Sequence, residues 1–178
     1  MKTKLLSIAI LGFSATVLGQ QRDIDRTPPL KSDLHFACNT GYKIQDCREQ
    51  IKVLRSVLAA YPTEKLGTWT WVLVKSDDWQ SIVQRMGRNT DSPAFSVLEK
   101  RETFLEEALF ANSGTRRVQL LRVWSVPLDK FLDFAVTHEL GHSICDELDE
   151  AKADAFGRVL RDRKIPECST KPTLAGIH

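Results

Sequence analysis

Apolar positions recur along the chain with two different periods, and these periods predict the secondary structure. Residues three or four apart form apolar stripes over 44–60, 76–87 and 128–144, and a last stripe starts near Asp149. This spacing is that of one helix face, so the pattern predicts four amphipathic helices. Ser76 is the predicted N-cap of the second helix.

Strand-like segments lie between the predicted helices. The run T-W-T-W-V-L-V at residues 68–74 is β-branched and aromatic, which predicts a strand. Further strands are predicted over 94–99, 102–110 and 118–124, although the segment 102–110 also suits a helix. With 42% apolar residues in 178, the chain can bury one core. We therefore expect one α+β domain over residues 35–178, in which helices pack on a short sheet.

Residues 1–19 have the pattern of a secretory signal peptide. Two lysines precede an apolar run over 5–18, and cleavage is predicted after Gly19. An uncleaved membrane anchor is the alternative, but the run is short for a membrane span and no charged stop follows it. Residues 20–34 contain two prolines and many charges, which predicts a flexible lead. We expect a secreted or periplasmic protein that keeps no stable membrane anchor.

The balance of charged residues argues against one class of partner, nucleic acids. The chain has 25 lysines and arginines and 23 acidic residues, and the predicted cleavage removes two lysines and no acid. The mature chain then carries 23 charges of each sign and no net charge. Without a basic patch, the sequence gives no reason to expect nucleic-acid binding. The oligomeric state is left open.

Four cysteines accompany the export signal: Cys38, Cys47, Cys145 and Cys168. An even number in an oxidising compartment predicts two disulfides, and four cysteines allow three pairings. We favour Cys38–Cys47, which closes a short loop, and therefore Cys145–Cys168. The second pairing requires the last helix to bend or to end early, because a straight helix over 150–163 would carry the chain about 20 Å away. Four buried thiols, or Cys145 as a metal ligand, are the alternatives.

The third predicted helix contains the candidate chemistry, the sequence H-E-L-G-H at 138–142. Two histidines four residues apart lie on one helix face, so His138 and His142 can bind the same metal ion. Glu139 between them can serve as general base toward a metal-bound water. A catalytic zinc site keeps three protein ligands and one open position, which leaves a third ligand to be found.

Glu150 is the predicted third ligand. Seven residues separate it from His142, which is enough for the end of one helix and a short connection to the next. Glu150 in the first turn of the next helix would then point back at the histidines. Asp154, one turn later on the same face, can accept the free ring N–H of a ligand histidine. Glu147 and Asp149 are competing third ligands, because loop geometry is not readable from the sequence.

The segment H-E-L-G-H followed by E-A-K-A-D-A-F-G at 150–157 resembles the gluzincin metallopeptidases, and in particular compact zincin-like domains of bacteria. The resemblance covers residues 130–160 most clearly. It implies that His138, His142 and Glu150 bind Zn²⁺, that Glu139 is the catalytic base, and that Asp154 supports a histidine. The connection between the second histidine and Glu150 is much shorter here than in large gluzincins.

This resemblance implies a zinc peptidase that hydrolyses a peptide or protein substrate. In zincins an edge strand ahead of the active helix binds the substrate by strand addition, and residues 102–110 are the candidate here. Gly141 would allow close packing of the helix against that strand. No transition-state stabilising residue is identified, and Tyr42, Tyr61 and His35 are candidates by residue type only.

A secreted binding domain derived from a peptidase is the alternative function. It would keep the zinc or partner site without catalysis. The four tryptophans (Trp69, Trp71, Trp79 and Trp124) could line a groove, although core packing is expected for most of them, with Trp79 partly exposed. Turnover of peptides separates the two functions, whereas metal content alone does not.

Overall fold

A computed structural model describes residues 32–168 of the chain. The predicted signal peptide, most of the predicted lead and the last ten residues lie outside this range. The described helices and strands, in chain order, are β1 Leu34–Cys38, α1 Ile44–Leu58, β2 Trp69–Val74, α2 Ser76–Arg85, β3 Ala94–Val97, β4 Glu102–Glu106, α3 Thr115–Trp124, α4 Phe131–Cys145 and α5 Glu150–Arg161. Five helices and four strands in this range confirm the α+β class.

The four strands form one mixed sheet in the order β1-β2-β4-β3. β1 and β4 run parallel to β2, and β3 runs antiparallel to β4, with Ala94 opposite Leu105 and Ser96 opposite Thr103. β3 is therefore an edge strand and β4 is internal. The prediction that 102–110 forms the edge strand is wrong. β4 also ends at Glu106, where a 3-10 turn follows.

Helices cover both faces of the sheet, so β2 and β3 contain no exposed residue. One face packs on α2 through Trp79 and Val83. The other face carries Trp69 and Trp71 into a larger core with α1 and α4. Trp79 is fully buried, not partly exposed, because its ring packs at 5.6 Å from the Phe95 ring on β3.

Three local predictions differ from the structure. β1 was not predicted, and its first residue, Leu34, had been placed in the lead. Residues 118–124 belong to helix α3, because Arg117, Leu120, Leu121 and Trp124 bury a face at helical spacing. Ser76 is the first residue of α2 and not its N-cap, which is Lys75 without a side-chain cap. Asp149, by contrast, caps α5 by accepting a hydrogen bond from the backbone N–H of Lys152.

Both predicted disulfides are present, Cys38–Cys47 and Cys145–Cys168. The second closes because α5 ends at Arg161 and the chain then turns, with Arg163 in the left-handed conformation at φ 61°. The Cα atoms of Cys145 and Cys168 lie 5.0 Å apart. Between residues 32 and 168, none of the helices combines the length and apolar character that crossing a membrane requires.

Candidate metal centre

Helix α4 carries the two histidines in a buried setting. Its residues from Ala135 to Ser143 are all buried, and His138 and His142 are each 7% exposed. Because the two residues are four apart, their side chains leave the helix on one face. Their Nε2 atoms lie 3.2 Å apart, so both rings point the same nitrogen at one position.

A tight connection brings Glu150 to the same position. Asp146 ends α4 in the left-handed conformation, at φ 50°, and the backbone N–H of Glu147 donates to the carbonyl of His142. Glu150 is then the first residue of α5, and its Oε2 lies 3.1 Å from His138 Nε2 and 3.4 Å from His142 Nε2. The three ligand atoms thus converge on one point.

These three residues could hold a metal ion. Bond lengths of 2.0–2.1 Å in a tetrahedral zinc site place neighbouring ligand atoms about 3.3 Å apart, and the distances here, 3.1 to 3.4 Å, match that spacing. The Glu150 side chain is 75% exposed, which leaves one side of the position open. The donor set therefore fits a metal ion with a free coordination position.

The competing ligands are used elsewhere. The Glu147 carboxylate accepts backbone hydrogen bonds from Leu148 and Asp149 and lies 3.3 Å from the ammonium of Lys152. These contacts lower the pKa of Glu147, the hydrogen bond from Asp149 most of all. Asp149 is the N-cap of α5. Both carboxylates are thus engaged in forming the connection between α4 and α5.

Each histidine ring is oriented by a hydrogen bond at Nδ1, the ring nitrogen that points away from the metal position. His138 Nδ1 lies 2.8 Å from Asp154 Oδ1, and His142 Nδ1 lies 2.6 Å from the carbonyl oxygen of Glu147. A carbonyl can only accept, so His142 carries its proton on Nδ1 and turns the Nε2 lone pair to the site. The Asp154 carboxylate favours the same tautomer of His138. The predicted supporting contact of Asp154 is present, and a backbone carbonyl does the same for His142.

Glu139 lies on the sheet side of α4 and is 2% exposed. Its Oε2 accepts a hydrogen bond of 2.8 Å from the hydroxyl of Ser96 on β3. The Ser96 hydroxyl also lies 2.8 Å from Thr103 Oγ1, which in turn accepts from the indole N–H of Trp69. Burial raises the pKa of Glu139, and the two histidines and Ser96 oppose that rise. The sheet therefore fixes the position of this carboxylate.

A cavity of about 280 Å³ opens over these groups. α4 and α5 supply one wall with His138, His142, Glu139 and Glu150, and the edge strand β3 supplies another. The remaining lining includes Leu98, Leu148, Trp124 and the loop after α2. Trp124 stands edge-on to the His138 ring, with the ring centres 6.2 Å apart.

The loop over residues 88–92, which we call the rim loop, is fixed by three side-chain donors. The indole of Trp79 donates to the carbonyl of Ser92 at 2.9 Å, and that of Trp124 donates to the carbonyl of Asp91 at 3.2 Å. Arg116 donates to the carbonyl of Thr90 at 2.8 Å and also binds the buried Glu106 carboxylate. Three successive carbonyls of the rim loop are thus bonded to the folded core.

Gly141 packs against helix α5 and not against a strand, as the sequence had suggested. A Cβ on Gly141 would lie 2.5 Å from the carbonyl oxygen of Ala153. Gly157 on α5 makes the reciprocal approach, with its Cβ position 3.1 Å from the carbonyl oxygen of Thr137. These two glycines allow α4 and α5 to pack closely, which brings Glu150 and Asp154 within reach of the histidines.

The residues proposed by type for transition-state stabilisation lie elsewhere. Tyr42 donates to Gln50, the buried Tyr61 donates to Asp133, and His35 is exposed beside Asp33. None of the three lines the cavity. Ser96 and Arg88 do line the cavity and were not predicted, because each reaches the site through a strand or loop distant in sequence. Trp124 also lines it, although its sequence context indicated only core packing or a groove.

Comparisons with known proteins add no relatives. No protein-family model matches the chain, and no curated protein and no solved structure matches it at a significant level.

Proposed function

We propose that this protein is an exported zinc-dependent peptidase with its active site at the centre formed by His138, His142 and Glu150. The observation that carries the proposal is the convergence of these three ligand atoms next to Glu139 in an open cavity. Two histidines and one carboxylate are a ligand set used by catalytic zinc sites of peptidases. The two disulfides support export, because they persist in oxidising compartments.

A zinc ion held by these ligands would supply a Lewis acid and lower the pKa of water bound at the open position. Glu139 is the proposed base, which takes a proton from the attacking water and passes it to the leaving amine. The Ser96 hydroxyl holds the Glu139 carboxylate through the 2.8 Å hydrogen bond. Asp154 and the Glu147 carbonyl keep the two histidines in the tautomer with Nε2 free.

The outer edge of β3 is the proposed binding place for an extended peptide, in place of residues 102–110. Side chains of Ser92 and Arg88 contact the carbonyls of Ala94 and Ser96 there, and a bound peptide would replace these contacts. Pro93 accepts from the backbone N–H of Glu106, and hydrogen-bonded pairs alternate along an antiparallel ladder. Ala94 and Ser96 therefore direct their backbone groups away from β4, toward the cavity. A substrate strand paired there would lie beside Glu139 and the metal ligands.

Incubation of the mature protein with a peptide library, with mass spectrometry as the readout, tests the proposal. We expect about one zinc per chain and cleavage that a chelator abolishes and added zinc restores. Glu139→Gln is expected to retain zinc and to lose turnover, because it removes the base and no ligand. Glu150→Ala is expected to lose zinc, with Asp149→Ala as the control that retains it.

The results separate this proposal from a non-catalytic domain. Zinc bound by the wild-type protein with no turnover of any peptide would favour a binding domain derived from a peptidase. Loss of zinc in Glu139→Gln equal to that in His138→Ala would make Glu139 a ligand and contradict its proposed role.

A further inference from the structure

The charge lining the cavity is unevenly placed. Its two carboxylates, Glu139 and Glu150, lie at the metal centre, where a divalent ion would offset them. Arg88 is the only lysine or arginine among the described residues that line the cavity, and it belongs to the rim loop. With the ion bound, the cavity therefore carries a positive charge at this rim.

Arg88 is held in place by its backbone, while its guanidinium remains available. Gly87 adopts φ 65° at the end of α2, and the Arg88 N–H donates to the carbonyl of Val83. The side chain is exposed, and its Nη2 lies 3.4 Å from the carbonyl oxygen of Ser96, a long hydrogen bond. Within residues 32–168 no carboxylate forms a salt bridge with it. The guanidinium can therefore exchange this weak contact for a carboxylate.

Ser96 places Arg88 close to the proposed reaction centre. Its hydroxyl bonds the Glu139 carboxylate, and its backbone carbonyl contacts Arg88. One residue of β3 therefore touches both groups, and a strand advances about 3.3 Å per residue. A substrate group bound by Arg88 would lie within about two residues of the bond that is cut.

We infer that Arg88 determines specificity by binding a carboxylate of the peptide substrate near the scissile bond. This inference rests on the proposed peptidase function. The carboxylate could belong to an aspartate or glutamate side chain or to the C-terminus of the substrate. The planar guanidinium matches either one with two parallel hydrogen bonds.

The test uses zinc-loaded protein and two sets of synthetic decapeptides. The first set carries glutamate or the isosteric glutamine at each position in turn, with both termini blocked. The second set has a free or an amidated C-terminus. The parent, Arg88→Ala and Arg88→Glu are compared by kcat/KM. Arg85→Ala is the matched control, because Arg85 is also exposed and does not line the cavity, and its side chain bonds the carbonyl of Ser81 and no other group within residues 32–168.

We expect the parent and Arg85→Ala to prefer one carboxylate over its neutral isostere by about 10- to 100-fold, the range for hydrogen bonds to charged groups. Arg88→Ala should lose the preference by slowing only the acidic substrates, and Arg88→Glu should invert it toward the neutral isostere, because two carboxylates repel each other. A preference for glutamate at one position identifies the side chain, and a preference for the free C-terminus identifies the terminal carboxylate. Equal cleavage of both isosteres by the parent, or an unchanged preference in Arg88→Ala, would overturn the inference while leaving the peptidase function intact.

Binding measurements separate the two proposals. The same peptides are titrated into zinc-loaded Glu139→Gln by calorimetry, with and without Arg88→Ala. Tighter binding of the carboxylate peptide that depends on Arg88, without turnover by the parent, would support the carboxylate site and refute the peptidase. Binding of both isosteres with equal affinity, or of neither, would refute the carboxylate site.

Discussion

The close approach of α4 and α5 at Gly141 makes a quantitative prediction. A Cβ added there would lie 2.5 Å from the Ala153 carbonyl oxygen, whereas ordinary van der Waals contact begins at 3.4 Å. Relief by helix movement alone would need a shift of about 0.9 Å, because backbone atoms on both sides cannot rotate away. α5 carries Glu150 and Asp154, so both would move with it.

The expected cost of Gly141→Ala follows from two opposing terms. Overpacking costs about 1–3 kcal/mol, and alanine in place of glycine within a helix returns about 1 kcal/mol. The net loss of about 0–2 kcal/mol corresponds to a fall in Tm of at most about 8 °C for a domain of this size. A shift of about 0.9 Å exceeds the scatter of about 0.2 Å in the ligand distances of metal sites. Zinc binding is therefore expected to weaken by at least the roughly 10- to 100-fold seen when groups that orient the ligands are changed.

Gly157→Ala is the matched control for this prediction. Its Cβ would lie 3.1 Å from the Thr137 carbonyl oxygen, so a shift of about 0.3 Å suffices, with the same gain in helix propensity. Zinc affinity is measured by competition with a chromophoric chelator, and Tm by circular dichroism of the metal-free proteins. Zinc affinity in Gly141→Ala equal to that of the parent, or a larger loss in Gly157→Ala, would refute the view that this approach sets the ligand geometry.

Three further predictions concern other contacts. Asp154→Asn should weaken zinc binding by about 10- to 100-fold, because it alters the acceptor behind His138; an affinity equal to the parent's in the same chelator competition would contradict this. Reduction of the two disulfides should lower the free energy of unfolding by about 2–4 kcal/mol each, measured by urea titration, and four free thiols in protein from its native compartment would refute their presence. Arg116→Ala should cost about 3–5 kcal/mol by leaving the buried Glu106 carboxylate without its cation. Burial already raises the pKa of Glu106 despite Arg116, so removal of Arg116 should raise it further. Stability of the variant should therefore fall more steeply than that of the parent as pH rises above about 4.3, the ordinary glutamate value, and parallel profiles would contradict this.

The sequence predicted the parts of the site that depend on local spacing. The separation of His138 and His142 is a property of one helix, and the cap at Asp149 depends on its neighbours along the chain. Glu150 needed one additional assumption, a short connection between antiparallel helices. In these three cases the separation of the residues along the chain determines their distance in space, so their positions could be predicted from the sequence.

Other features depend on contacts between distant segments. Exposed and less exposed residues alternate in β1 over only five positions, which is too short to predict a strand. The strand forms because it pairs with β2. The run at 118–124 contains two valines and a tryptophan, which favour a strand locally, yet its burial follows helical spacing. Ser96 meets Glu139 across 43 positions of sequence, so its role required the sheet order.

The two histidines differ in how their orientation can be changed by mutation. His138 is oriented by a hydrogen bond to the side chain of Asp154, which one substitution can remove. His142 donates instead to the backbone carbonyl of Glu147, which any residue at position 147 would supply. Substitutions of Leu148, which is 70% exposed, should therefore leave the orientation of His142 unchanged, whereas adding or deleting one residue between α4 and α5 should alter it. The orientation of His142 therefore depends on the number of residues between α4 and α5 and not on the side chain at position 147.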